Sequence, residues 1–204
     1  MASPNQALEN SNNWFTDGKF FDKLSSLVNI VTDSKNAVSL DDLTSYYTDG
    51  LSDILTELGL QTEIIDNPIK GGPPFLIGKR IESSELKTIL LYGHGDTVPL
   101  QEGQWFEGII PNELKVIGDK IYGRGVADNK GQHLINLLAL LSVLKIRKKL
   151  GFNLKIVFEM GEEIGSPGLF DLCEKYKDYF KSDVLIASDG PRAVSYTHLT
   201  LPTI

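Results

Sequence analysis

The chain has 204 residues, 41% of them hydrophobic and 23% charged, with a formal net charge of -7. That length suits one sizeable core in a single α/β domain, and the acidic balance argues against nucleic acid, whose binders carry a basic footprint. Cys173 is the only cysteine, which excludes an intrachain disulfide and fits a reducing, cytoplasmic setting, and the polar start Met1-Ala2-Ser3-Pro4-Asn5-Gln6 has no apolar signal-peptide core.

Apolar spacing predicts an amphipathic helix over residues 14–32 and a second over residues 40–58, the latter capped by Ser39. A strand at residues 61–65 leads through the turn-rich Asn67-Pro68-Ile69-Lys70-Gly71-Gly72-Pro73-Pro74 into a strand at residues 75–81. The apolar run Thr88-Ile89-Leu90-Leu91 reads as a strand that ends on Tyr92-Gly93-His94-Gly95-Asp96-Thr97-Val98-Pro99. Trp105 and Phe106, within residues 104–111, either line the rim of a site or pack as an aromatic pair. Residues 114–122 read as a hairpin with Gly118-Asp119 as its two-residue turn. The leucine-rich stretch at residues 133–146 is too short to span a membrane and carries Asn136 and Ser142, so it is expected to be a buried core helix. Arg147-Lys148-Lys149 would neutralise its C-terminal end. A strand at residues 154–158, a helical segment at 169–179 holding Cys173 as a core or surface thiol, and a strand at 184–187 complete the pattern. Helices alternating with strands predict a mixed central sheet covered on both faces.

His94 and Asp96 stand at i and i+2, so on a strand they share one face and point at one site beyond its end. A metal-bound imidazole usually donates its other nitrogen to a carboxylate, and Asp96 is placed to accept that bond. Alone, the pair reads as well as an ordinary solvated turn. Three further acidic sites follow, each where an apolar segment expected to be buried gives way to a glycine-rich turn. They are Gly123-Arg124-Gly125-Val126-Ala127-Asp128-Asn129-Lys130-Gly131, Glu159-Met160-Gly161-Glu162-Glu163-Ile164-Gly165-Ser166, and Ser188-Asp189-Gly190-Pro191. Taken singly, Asp128 could cap the helix it precedes, Glu162 and Glu163 could be a solvated turn, and Asp189 could be a plain turn residue. Strand C-termini of an α/β sheet, however, form one edge where sites are built. A His and carboxylates at four such ends point to one polynuclear metal centre.

The motifs His94-Gly95-Asp96-Thr97-Val98-Pro99, Gly123-Arg124-Gly125 with Asp128-Asn129-Lys130-Gly131, Glu162-Glu163-x-Gly165-Ser166 and Ser188-Asp189-Gly190 resemble a known family in order and spacing, over about residues 15–192. That family is the co-catalytic zinc metallopeptidases, which include aminoacylases, glutamate carboxypeptidases, succinyl-diaminopimelate desuccinylase and carnosine-type dipeptidases. The resemblance implies a phosphorylase/hydrolase-like zinc-peptidase catalytic domain. It implies that His94 and Asp189 hold one zinc, that Glu163 holds the other and that Asp128 bridges them, with Co2+ or Mn2+ as alternative metals. Two such metals would share a hydroxide nucleophile and polarise the scissile carbonyl. Glu162 would be the general base, and Asp96 would orient His94. Because consecutive strand residues face opposite ways, the turn between Gly161 and Gly165 has to break the strand for Glu162 and Glu163 to serve one site. The Asp128-Asn129 peptide is expected to be cis, and the crowding of carboxylates around one imidazole should raise some of their pKa values, that of Glu162 or Asp128 among them.

The family also supplies a zinc-binding His near its C-terminus and a smaller lid domain with substrate contacts and the dimer interface; neither follows here. The sequence is therefore expected to be the N-terminal part of the catalytic domain, residues 1–193, truncated before the lid and before a homodimer contact. Residues 194–204, Val194-Ser195-Tyr196-Thr197-His198-Leu199-Thr200-Leu201-Pro202-Thr203-Ile204, read as a non-native adapter-derived tail. One zinc would keep His94, Asp128 and Asp189 while the other would keep only Asp128 and Glu163, so this stretch alone should bind at most one zinc tightly and hydrolyse little. The expected reaction is cleavage of a peptide or amide bond in a small peptide, because Asp128-Asn129-Lys130-Gly131 is similar to the dipeptidase form of its motif. N-acyl amino acid deacylation or desuccinylation is the alternative, and an inactive or non-enzymatic homologue the other. A nucleotide-binding module fits poorly, since neither Gly123-x-Gly125 nor Gly161-x-x-x-Gly165 has phosphate-loop or dinucleotide spacing.

Overall fold

A computed structural model describes residues 3–36 and 39–190; the adapter-like tail expected at residues 194–204 lies outside them. The first expected helix is in fact two, α1 (Pro4–Thr16) and α2 (Lys19–Asn29). α1 begins at a capping box in which Ser3 and Gln6 exchange side-chain-to-backbone bonds. The break falls at Gly18, whose φ of +76° takes the left-handed region that glycine enters without a Cβ penalty. Residues 40–58 are helical as expected but change pitch, running as α3 (Leu40–Ser45), a π-helical stretch Tyr46–Leu51, and α4 (Ser52–Glu57). Ser39 caps α3 in a second capping box, with Asp42 as its partner.

The chain continues through β1 (Gln61–Ile65), β2 (Phe75–Arg80), β3 (Thr88–His94), the hairpin β4 (Lys115–Ile117) and β5 (Lys120–Tyr122), and α5 (Lys130–Arg147). It ends with β6 (Asn153–Glu159), α6 (Leu169–Lys175), α7 (Lys177–Phe180) and β7 (Val184–Ala187). The helix expected over residues 169–179 is interrupted at Tyr176, which closes α6 and opens α7. Five strands form one sheet in the order β1-β2-β6-β3-β7, and the hairpin stands apart. β2 pairs antiparallel with both β1 and β6, whereas β3 runs parallel to β6 and β7, so the sheet is mixed.

Strand alternation divides the interior into two layers. Leu76, Leu91, Leu154, Ile156 and Phe158 face a large core built with α2, the helical run at residues 40–58, and Leu134, Leu137, Leu138 and Leu141 of α5. Ile65, Phe75, Ile77, Leu90 and Val157 face a smaller one closed by Leu172 of α6. β7 departs from the buried strand expected there: Val184, Leu185 and Ile186 are 48%, 61% and 40% exposed. It is one of the sheet's two outer strands, β1 being the other, and among the described residues nothing pairs with its far side. No helix of the described residues is long and apolar enough to cross a membrane.

Candidate metal centre

Register brings three of the four motifs to one edge of the sheet, and the start of α5, beyond the separate β4-β5 hairpin, brings the fourth. His94 closes β3 directly opposite Glu159, the last residue of the parallel neighbour β6. β7 ends its pairing with Ala187 opposite Tyr92, so Asp189 emerges at the same edge. Glu162 and Glu163 lie three and four residues past β6 in a short 3-10 turn, Glu162–Ile164, bounded by Gly161 and Gly165, and this turn breaks the strand as the adjacent acids required. Asp128 directly precedes Asn129, the residue that opens α5, and the Asp128-Asn129 peptide is cis as expected. Asp128 does not cap the helix, since α5 has no side-chain cap.

His94 and Asp96 are both fully buried, with Nδ1 of His94 3.3 Å from Asp96 Oδ1 and 3.1 Å from the Asp96 carbonyl oxygen. The opposite nitrogen, Nε2, faces carboxylates: Asp128 Oδ1 at 3.0 Å, Asp189 Oδ2 at 3.7 Å and Glu162 Oε2 at 3.9 Å. His94, Asp128 and Asp189 each offer a ligand atom, all within 4.8 Å of one another; Glu163 lies outside this tight group. Asp96 has a second task. Its two carboxylate oxygens accept the backbone N–H groups of Glu162 and Glu163, each at 3.1 Å, so the residue beneath His94 also fixes the acidic turn. The site is open on its outer side, with the Asp128, Glu162 and Asp189 side chains 53%, 37% and 30% exposed.

The electrostatics follow from that crowding. Burial works against the His94 imidazolium, yet the hydrogen bond and charge of Asp96, joined by Asp189 and Glu162, raise its pKa to about 9. The Glu162 carboxyl is pushed up by burial and by the charges of Asp189, Asp96 and Asp128, against the opposing pull of His94. The Glu163 carboxyl is pushed up by burial and then by Asp128. A field that holds a proton on His94 to this degree also favours a cation in its place, and an imidazole with two carboxylates is a donor set that Zn2+ accepts. With Nδ1 donating to Asp96, the neutral ring presents the lone pair of Nε2 to the carboxylate side. The residues present therefore fit one divalent metal.

Sequence reasoning passed over the support beneath the site. Asn129 is fully buried, and its Oδ1 accepts from the backbone N–H of His94 at 3.3 Å and from Nδ1 of His133 at 3.0 Å. With Nδ1 donating, His133 Nε2 accepts from the Tyr46 hydroxyl at 2.6 Å. Lys130 is buried as well, its Nζ donating to the carbonyls of Leu27 and Ile30 at 3.0 and 2.7 Å, and burial lowers its pKa to about 7. The available signal was the polar row Asn129, Gln132, His133 and Asn136 on a leucine-rich helix. Two side-chain expectations also change. Trp105 and Phe106 are no mutual pair: Trp105 lies under the Arg124 guanidinium, 5.2 Å from ring centroid to carbon, whereas Phe106 is 75% exposed and meets Tyr122 edge-on. Cys173 sits half-buried in α6, and burial pushes its thiol up, away from a nucleophile.

Comparison with known proteins gives a consistent picture. A model of the family described as Peptidase family M20/M25/M40 matches residues 90–202, more than half of the chain. The Beta-Ala-His dipeptidase of Mus musculus is 35% identical over 121 residues, covering 58% of this chain and 24% of that protein. The Cys-Gly metallodipeptidase of Candida albicans is 34% identical over 149 residues, covering 69% of this chain and 30% of that protein. Among solved structures, human carnosine dipeptidase 1 aligns with a TM-score of 0.79 at 29% identity, over 92% of this chain and 42% of that one. An M20 family metallo-carboxypeptidase from Sulfolobus solfataricus aligns with a TM-score of 0.72 at 27% identity, over 83% of this chain and 37% of that one. The chain thus spans less than half the length of each of these relatives.

Proposed function

Because the chain belongs to the M20/M25/M40 peptidase family, we propose that it carries the metal-binding part of a cytoplasmic hydrolase that cleaves an amide bond in small peptides. The observation that carries this reading is the convergence of His94 Nε2, Asp128 and Asp189 within 4.8 Å at the open edge of the sheet. The dipeptidases among its relatives favour a dipeptide over an N-acyl amino acid as substrate.

In this reading His94, Asp128 and Asp189 hold a divalent ion, Zn2+ first among candidates, and Glu163 with Asp128 offers ligands for a second. A metal bound there supplies Lewis-acid polarisation of the scissile carbonyl and acidifies the attacking water. Glu162 takes the proton from that water and delivers it to the leaving nitrogen. Burial and the neighbouring carboxylates raise its pKa in the metal-free site, and a bound cation would act in the opposite direction. Asp96 keeps the Nδ1 proton on its side of His94 and anchors the backbone of Glu162, so one carboxylate sets ligand and base relative to each other.

Metal content after dialysis against Zn2+ tests the binding half of the proposal. One tightly held equivalent per 204-residue chain, abolished in His94→Ala, is expected; a chain that holds no metal overturns the reading. For the chemistry, Glu162→Gln in the longer protein bearing the remaining ligands should lower kcat on a dipeptide by about 10²–10⁴-fold. Faster turnover of N-acyl amino acids than of dipeptides would move the substrate assignment to the deacylases.

A further inference from the structure

The segment that carries Asp189 is held by α5 more than by its own strand. β7 is a four-residue exposed edge strand, and its pairing stops at Ala187. Beyond that point three side-chain amides reach across from the helix. Asn129 Nδ2 donates to the carbonyl of Ser188 in a short bond, Asn136 Nδ2 donates to Ser188 Oγ at 2.9 Å, and Gln132 Nε2 donates to the carbonyl of Gly190 at 2.8 Å. Positions 129, 132 and 136 are three and four residues apart and so line up along one helix face. They grip the residues on both sides of Asp189, whose Oδ1 accepts the Gly190 backbone N–H at 2.6 Å while Oδ2 faces His94 Nε2 at 3.7 Å. The innermost amide also accepts from the backbone N–H of His94, which ties the two ligand-bearing segments through a single side chain.

We infer that Asn129, Gln132 and Asn136 form a positioning clasp that sets the Asp189 carboxylate relative to His94 and Asp128, and thereby sets metal affinity from a helix that contributes no ligand. The inference rests on the metal reading above. Its physical basis is preorganisation: a carboxylate on a loosely held edge segment must be ordered when the ion binds, whereas a clasped one is already in place. Gln132 and Asn136 are only half-buried, so their amides have water as an alternative partner and are not needed merely to satisfy an enclosed group.

The test measures Zn2+ affinity of the full chain by competition with a fluorescent chelator, beside the melting temperature of the metal-free chain. Gln132→Ala, Asn136→Ala, Ser188→Ala and the double variant Asn136→Ala/Ser188→Ala are compared. Gln132→Ala and Asn136→Ala should each weaken Zn2+ binding about tenfold while the metal-free melting temperature stays put. Because Asn136 and Ser188 share one bond, the double variant should bind no more weakly than either single one. Affinities within twofold of the unsubstituted chain, with or without a fall in melting temperature, would overturn the clasp and leave the metal site standing. Strictly additive losses at Asn136 and Ser188 would also overturn it. An unsubstituted chain that binds no Zn2+ removes the metal reading, and the clasp with it. Should Asn136→Ala fail to fold, Gln132→Ala decides by itself, since it removes an independent contact.

Discussion

At the scale of single residues, Asp96 carries more than its neighbours. It lies against Nδ1 of His94 and accepts the backbone N–H groups of both Glu162 and Glu163, so its charge is spent on three partners at once. Asp96→Asn keeps the shape but removes the charge and one acceptor. Loss of such a supporting carboxylate is expected to weaken Zn2+ binding about 10–100-fold, measured by chelator competition. His133 supplies a prediction on pH. Burial, with the charges of His94 and Lys130 acting in the same direction, lowers its pKa to about 3, against about 6.5 in an unfolded chain. A histidine depressed in this way is protonated in the unfolded state first. Its contribution to stability is complete above about pH 6.5 and is lost toward pH 3, at about 1.4 kcal/mol per pH unit. Urea unfolding at pH 7 and pH 5 should therefore show a steeper loss for the unsubstituted chain than for His133→Gln. The comparison between the two is the readout, because the raised carboxyl of Glu162 titrates with the opposite sign nearby.

At the scale of elements, the start of α5 is tightly constrained. Asn129 opens the helix, Lys130 anchors it to the end of α2, and Gly131 donates its N–H to the carbonyl of Gly125. A Cβ at Gly131 would collide with the carbonyl oxygen of Val126, which is backbone and cannot swing aside. Gly131→Ala should destabilise by about 3 kcal/mol, the upper range for overpacking, and should lower Zn2+ affinity because Asp128 moves with the helix start. Denaturant titration and metal competition on the same preparation check both effects. Element types were readable in the sequence where they depend on apolar spacing, as for the strands and for α5. Junctions were not: the break at Gly18, the π-helical stretch at Tyr46–Leu51 and the interruption at Tyr176 each depend on what the backbone packs against.

At the scale of the whole molecule, the mixed sheet ends on two outer strands, β1 and β7, of which β7 is the more apolar. Val184, Leu185 and Ile186 are exposed on an outer strand, an arrangement that favours pairing between copies. Light scattering of the 204-residue chain should show concentration-dependent association, and Leu185→Lys, which puts a charge on that edge, should reduce it. An unchanged scattering profile in Leu185→Lys would place the association elsewhere.

The sequence by itself determined the motif set and its edge. His94, Glu162 and Asp189 each stand where an apolar strand of the central sheet meets a glycine-rich turn, and strand polarity in an α/β sheet is enough to send such positions to one side, whereas Asp128, expected at a fourth such end, follows the separate β4-β5 hairpin and reaches that edge through the start of α5. Only the tertiary structure decided how those side chains are held. The amides of Asn129, Gln132 and Asn136 reach partners more than fifty residues away, and the Tyr46 hydroxyl meets His133 across 87. The pairing of β7 at the rim likewise set its exposure. Local spacing records which face a residue occupies, but the partner on that face is chosen by packing between segments remote in sequence, which no local pattern contains.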